Sequence, residues 1–213
     1  MKLVMVGGHT RNIGKTSVVE AIIRATAELN WTAVKITQYG HGVCSTDGEM
    51  CECSVADHQF AITEERNRDS GTDTSRFLAA GARRSLWVRT REGELFSALE
   101  SFRKKIEADE FVIVESNSLR RFLKPTLYLQ VVDPANADFK VSAQTFFDLT
   151  DAYLIIERRG DEINFAAQQQ ALLAREIQKS KPCFLVSPGE GYANRAVIDF
   201  VKERLTRAAA NAA

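Results

Sequence analysis

The chain has 213 residues, 45% of them hydrophobic and 26% charged, with 28 basic side chains balancing 28 acidic ones. That composition supports a packed core and excludes a disordered or fibrous polymer, and the balance leaves no global field to draw in nucleic acid or an anionic membrane, so any anion site must be local. No apolar run approaches the roughly eighteen residues of a membrane span, and the opening KLVMVGGHT is too short and wrongly flanked for a signal peptide, so a cytoplasmic protein without membrane or nucleic-acid partners is expected.

In chain order, short apolar runs alternate with segments of helical periodicity. A strand over 3–6 leads through a glycine-bearing loop into a helix over 15–29. A strand over 33–37 precedes the least regular stretch, 38–58, a connection long enough to be functional. Then come a strand over 60–63, a helix over 74–80, a strand over 86–89, a helix over 92–107 and strands over 111–114 and 127–132. The chain closes with a helix over 141–149, a strand over 152–156, a helix over 166–179, a strand over 183–186 and a helix over 194–207. Runs such as FVIV and YLII show no alternation, as strands buried on both faces of a mainly parallel sheet should. The expected fold is a doubly wound α/β sheet with helices on both faces, forming one nucleotide-binding domain over 1–213. No internal repeat or proline- and glycine-rich linker divides it.

The loop Gly8-His9-Thr10-Arg11-Asn12-Ile13-Gly14-Lys15-Thr16 carries the chemistry. Lying between a strand and a helix, it offers backbone N–H groups and the positive end of a helix dipole to phosphate. Gly8 lets the chain turn and Gly14 lets the backbone approach phosphate. Lys15 neutralises the β- and γ-phosphates, and the Thr16 hydroxyl is a Mg²⁺ ligand. Thr10, Arg11, Asn12, Ile13 and Ser17 complete the expected cradle. Five residues stand between the glycines where the common phosphate loop has four. His9 either touches phosphate or fills the turn.

Glu115 ends a buried strand, where a carboxylate can hold Mg²⁺, and with Lys15 it forms the expected catalytic pair. Asp47 and Asp73 are weaker metal candidates, and for Asp73 a helix-cap role stands beside it. Lys35 points at the site or at solvent. Arg83, Arg84, Arg89 and Arg91 read as a solvated face, whereas Arg120, Arg121 and Lys124 meet an anionic substrate or end a surface helix. The sequence has no Asn/Thr-Lys-x-Asp tetrapeptide, so ATP and GTP both stay open, with SPGEGY at 187–192 a candidate base-reading loop.

The widened Gly-x5-Gly-Lys-Thr loop resembles that of the dethiobiotin synthetase family, in the class that includes signal-recognition GTPases and MinD-type ATPases. The segments AVKITQYGHG, TDTSRFLAAGARRSLWV and FVIVESNS, over roughly 3 to 120, resemble the element order of the molybdopterin-guanine dinucleotide biosynthesis B family. The departures are the longer loop, a cysteine cluster, and Glu-Ser-Asn where that family has Glu-Gly. This resemblance implies a P-loop NTPase that binds ATP or GTP with Mg²⁺ as an accessory protein in molybdenum-cofactor assembly. The dethiobiotin-synthetase likeness implies instead a ligase or small-molecule kinase, and a metal chaperone or sensor without catalysis is a third reading. Expected partners are the nucleotide and either a cofactor-assembly protein or a small anionic substrate, with a homodimer left open.

Three of the four cysteines, Cys44, Cys51 and Cys53, crowd between His41 and His58. In a reducing compartment that points to metal ligation or free thiols, not to a disulfide scaffold; Cys183, in an apolar run, reads as core packing. Three thiolates and one imidazole suit tetrahedral Zn²⁺. Protein purified without chelator is therefore expected to carry about one tightly held metal ion per chain. Elemental analysis checks this, and three freely titratable thiols in metal-free, anaerobically prepared protein would defeat it.

Overall fold

A computed structural model describes residues 1–39, 60–136, 138–157 and 181–210. The elements in chain order are β1 (Lys2–Gly8), α1 (Lys15–Ala25), β2 (Thr32–Tyr39), β3 (Phe60–Glu64), α2 (Asp73–Ala79), β4 (Arg84–Arg91), α3 (Leu95–Ile106), β5 (Phe111–Glu115), β6 (Leu127–Val132), α4 (Val141–Thr145), β7 (Ala152–Ile156), β8 (Cys183–Val186) and α5 (Arg195–Ala210). The stretch expected to be a helix over 166–179 lies outside the described residues, as do His41, Cys44, Asp47, Cys51, Cys53 and His58.

The strands form one sheet in the order β3-β4-β2-β5-β1-β6-β7-β8. Every pairing is parallel except that of β3, which runs antiparallel to β4 at the edge. The chain winds from β1 outward on one side, returns to insert β5 between β2 and β1, then builds the other side. Strand order therefore reverses about β1, and the crevice above the carboxyl ends of β1, β5 and β6 is where such sheets gather ligands.

Alternate residues of β1 feed opposite faces, as the two-residue period demands. Val4 and Val6 join one core with Val18 and Ile22 of α1, Phe77 of α2 and Val197, Val201 and Leu205 of α5. Leu3 and Met5 join the other, with Leu95, Leu99, Phe102 and Ile106 of α3. The mainly parallel α/β architecture with helices on both faces is as the unalternating strands implied.

Element ends differ from the periodicity in ways side chains explain. The first helix stops at Ala25 because Thr26 leaves helical geometry. Its hydroxyl donates to the Ile22 carbonyl and accepts from the buried Trp31 indole at 2.8 Å. Residues 27–29 continue only as a 3₁₀ turn, closed by Asn30 at φ 52°. The third helix starts at Leu95 and not at 92, since Gly93 turns the chain at φ 86°.

Two expectations are corrected. Cys183 is exposed rather than packed in the core, because among the described residues β8 is an edge strand that pairs with β7 alone. The arginines around LWV are not simply a solvated face. Arg89 is buried and stacks over the Trp87 ring at 4.5 Å, and Arg84 bridges Glu64 at 3.0 Å and buried Asp109 at 3.2 Å. Asp109 also pairs with Arg83.

Phe102→Ala, which empties a buried position beneath α3, is expected to cost about 3–5 kcal/mol. Phe96→Ala, nearly two turns earlier on the same helix but 73% exposed, should stay within about 0.5 kcal/mol. Urea unfolding of the two variants checks the assignment of the buried helix face.

Candidate functional site

The loop from Gly8 to Thr16 sits at the top of β1 and opens α1. Gly14 is the N-cap residue at φ 85°, a left-handed conformation that L side chains resist. A Cβ there would also lie 2.4 Å from the Tyr192 ring, so nothing larger fits. The helix start has no side-chain cap and no acidic residue in its first turn. Its N–H groups are thus left for an anion. Asn12 takes φ 54° and, with Arg11, is exposed. The Ile13 side chain points into the core instead of toward solvent, so its part in the cradle is main-chain and apolar.

Lys15 folds back over the loop, its Nζ donating to the Thr10 carbonyl at 2.7 Å. Its stem crosses Gly8, where a Cβ would stand 2.7 Å from the Lys15 Cδ. Burial depresses the Lys15 pKa to about 8, against the pull of Glu115 and with the repulsion of Lys35 and Lys140. The ammonium is held away from water beside other cations, which is the condition of a group waiting for an anion.

Below the loop, Glu115 is 3% exposed. It accepts from the Thr16 hydroxyl at 2.8 Å and from the Lys35 ammonium at 2.6 Å. Lys35 therefore faces the site, and its second partner is Asp73 at 2.8 Å. Burial works against the Lys35 charge, but the two carboxylates more than offset it and its pKa is raised. Burial likewise works against the Asp73 carboxylate, yet Lys35, Arg76 and the Thr16 hydroxyl hold its pKa below the usual range. The cap of α2 is Thr72, whose side chain accepts from the Ser75 amide, so the cap role considered for Asp73 belongs to its neighbour. Ser17 accepts from Arg76, which also pairs with Glu20 at 2.5 Å.

One hydroxyl and two carboxylates form a hard-oxygen donor set, which suits Mg²⁺ and not a soft metal. Lys35 already sits as a cation between both carboxylates, which marks the place as one where positive charge is held. Among the described residues no group of three or more His, Cys, Asp or Glu side chains gathers as a metal site.

Other contributors were left undecided by the sequence, as His9 was, or missed by it, as Asn117 and the stretch around Asp133 to Asn136 were. His9 is buried at 1% exposure. Its Nδ1 accepts from the Asp133 amide at 3.3 Å, so the proton resides on Nε2, which donates to the Asn136 carbonyl at 3.1 Å. Burial lowers its pKa. The Thr10 hydroxyl donates to Asp138, and the Lys140 amide donates to the His9 carbonyl at 2.8 Å. His9 and Thr10 of the widened loop thus dock on Asp133, Asn136, Asp138 and Lys140, a strap of chain laid across the loop.

Asn117, two residues after Glu115, clamps Gly8. Its Oδ1 accepts from the Gly8 amide at 2.9 Å and its Nδ2 donates to the Gly8 carbonyl at 2.8 Å. Arg121 and Lys124 are exposed, and Arg120 is half-buried in the 3₁₀ turn Ser118–Arg121. A pocket of about 230 Å³ opens on the far side of the loop. Asn12, Ile13, Asp133, Ile156, Pro188 and Tyr192 line it, which brings SPGEGY to the loop.

No protein-family model matches the sequence, and no curated protein matches it. Among solved structures, HypB from Helicobacter pylori in complex with nickel superposes with a TM-score of 0.56 at 16% identity, over 96% of this chain and 87% of that one. LpxK from Aquifex aeolicus, solved as an "apo" form in complex with ATP, reaches a TM-score of 0.43 at 13% identity over 73% of this chain and 48% of its own. The HypB likeness shows the fold, a doubly wound, mainly parallel α/β sheet with helices on both faces. Among the described residues no helix is long and apolar enough to cross a membrane.

Because the Lys15 pKa is depressed, the unfolded chain holds that proton more tightly than the folded one between pH about 8 and 10.5. Its burden on stability is full below about 8 and fades as pH rises through that window. Lys15→Met is therefore expected to stabilise the ligand-free protein by about 1–3 kcal/mol at pH 7, a gain that vanishes as pH approaches the ordinary lysine range. Denaturant unfolding at pH 7 and near pH 10 checks the sign.

Proposed function

We propose that the protein binds and hydrolyses a nucleoside triphosphate, ATP or GTP, in complex with Mg²⁺. The observation that carries this reading is the buried Glu115 carboxylate bonded to the Thr16 hydroxyl, directly beneath an uncapped helix start and the Lys15 ammonium. That is a phosphate cradle joined to a hard-cation site. In it the α1 amides and Lys15 hold the β- and γ-phosphates, and Thr16 and Glu115 hold Mg²⁺, with Asp73 close by. When bound, Mg²⁺ supplies neutralisation of the charge that develops on the transferring phosphoryl group. Lys35 pairs with both Glu115 and Asp73, and its charge helps hold the Asp73 pKa below the usual range. The pocket between Asn12 and Tyr192 takes the nucleoside end, where Tyr192 offers an aromatic face and Asp133 a carboxylate.

The pathway proposed is accessory work in molybdenum-cofactor assembly, and its support is the sequence resemblance alone. Turnover that depends on an added carboxylate or hydroxyl acceptor would favour the ligase or kinase reading. The cysteine cluster is proposed as a separate metal site of the same chain; the similarly folded HypB was solved with nickel.

Calorimetric titration with ATP and GTP, with and without Mg²⁺, tests the reading. Lys15→Ala should weaken binding by at least about tenfold, or 1.4 kcal/mol, in a folded protein. Glu115→Gln, which keeps the Thr16 bond, should cut Mg²⁺-dependent hydrolysis by about tenfold or more while Mg²⁺-free binding stays near that of the parent. Unchanged affinity in folded Lys15→Ala sinks the phosphate-loop assignment, and equal hydrolysis rates return Glu115 to a structural role.

A further inference from the structure

The strap that docks on the widened loop delivers one more cation to it. Lys140 is the N-cap residue of α4, and its amide bond to the His9 carbonyl fixes its backbone against the loop. Its side chain is half-buried, and its ammonium stands in the field of Arg11, Asp138, Lys35 and Glu115. Asp138 is engaged by the Thr10 hydroxyl, and Glu115 by Thr16 and Lys35. Among the described residues, no carboxylate lies within ion-pair distance of Lys140. Burial lowers its pKa, as it does that of Lys15.

Position decides what such a cation serves. The nucleoside pocket is lined by Asp133 at the start of the strap. Lys140, at its other end, is tied by its amide to the His9 carbonyl at 2.8 Å, within electrostatic reach of Arg11 and Asp138 first and of Lys35 and Glu115 after them. Lys15, Lys35 and Lys140 thus form a cluster of cations at the loop, each within the electrostatic reach of the others.

We propose that Lys140 is a specificity-determining residue that binds the terminal phosphoryl group and so distinguishes a triphosphate from a diphosphate. The proposal rests on the nucleotide reading above. A lysine acts there as a point charge on the extra phosphate and touches nothing that a diphosphate offers. The widened loop then has a reason of its own: His9 and Thr10 anchor the strap that sets this lysine in place.

The test is titration of the full chain with Mg²⁺ and each of ATP, ADP, GTP and GDP, on the parent, Lys140→Met, Lys140→Arg and Lys15→Ala. Lys140→Met is expected to weaken the triphosphates by about tenfold or more and the diphosphates by less than about twofold. Lys140→Arg should keep the parental preference, and Lys15→Ala should weaken both classes. Lys140→Gln is run beside the methionine variant, so that poor folding of one leaves the other to report. Equal loss for both classes, or no loss for either, overturns the proposal while leaving the phosphate loop standing; the latter is also what a lysine serving a separate anionic acceptor would produce. A parent chain that binds no nucleotide overturns both readings.

Discussion

A buried carboxylate organises this site. Glu115 ends the central strand β5 at 3% exposure and is bonded to Thr16 on α1 and Lys35 on β2. Three segments remote in sequence are tied at one charge, and an ionised carboxylate in such a place is tolerable only with those partners. Asn117, two residues on, clamps the main chain of Gly8. The end of β5 therefore sets the height and tilt of the whole loop relative to the sheet. The parallel register of β1 with β5, which pairs Val6 with Glu115, brings these groups level.

The cost of the arrangement is electrostatic. Lys15, Lys35 and Lys140 share a small region with two carboxylates, and burial lowers the pKa of Lys15 and Lys140. An uncapped helix start adds its own positive potential. Burial of the Lys15 charge works against the stability of the fold. The polar strap from Asp133 to Lys140 offsets part of this by buried hydrogen bonds through His9, a neutral ring whose burial resists protonation.

The same strap explains why a five-residue spacing between the glycines is compatible with an ordinary cradle. Lengthening a phosphate loop by one residue would swing its amides off the ligand if the extra residue stayed in the turn. Here His9 leaves the turn and enters the interior, with its ring edge against Phe139 at 5.7 Å. Gly14, Lys15 and Thr16 meanwhile stay at the start of α1, with Gly14 as its N-cap residue.

Sequence alone determined the order of strands and helices, the mainly parallel α/β class and the loop with Lys15 and Thr16, because these rest on period, run length and local turn chemistry. It also pointed to Glu115, since a carboxylate at the end of an apolar strand has few other uses. It left Lys35, Asp73 and His9 undecided, and it was silent on the tasks of Asn117 and Lys140. Their partners lie far along the chain, as in the Lys35–Glu115 bond with a separation of 80 and the Gly8–Asn117 bond with one of 109. A lysine in a strand carries no mark of which carboxylate will face it. Only the winding of the sheet, which inserts β5 between β2 and β1, decided that Lys35 would meet Glu115, and only the return of β6 beside β1 decided that Asp133 through Lys140 would lie across the loop.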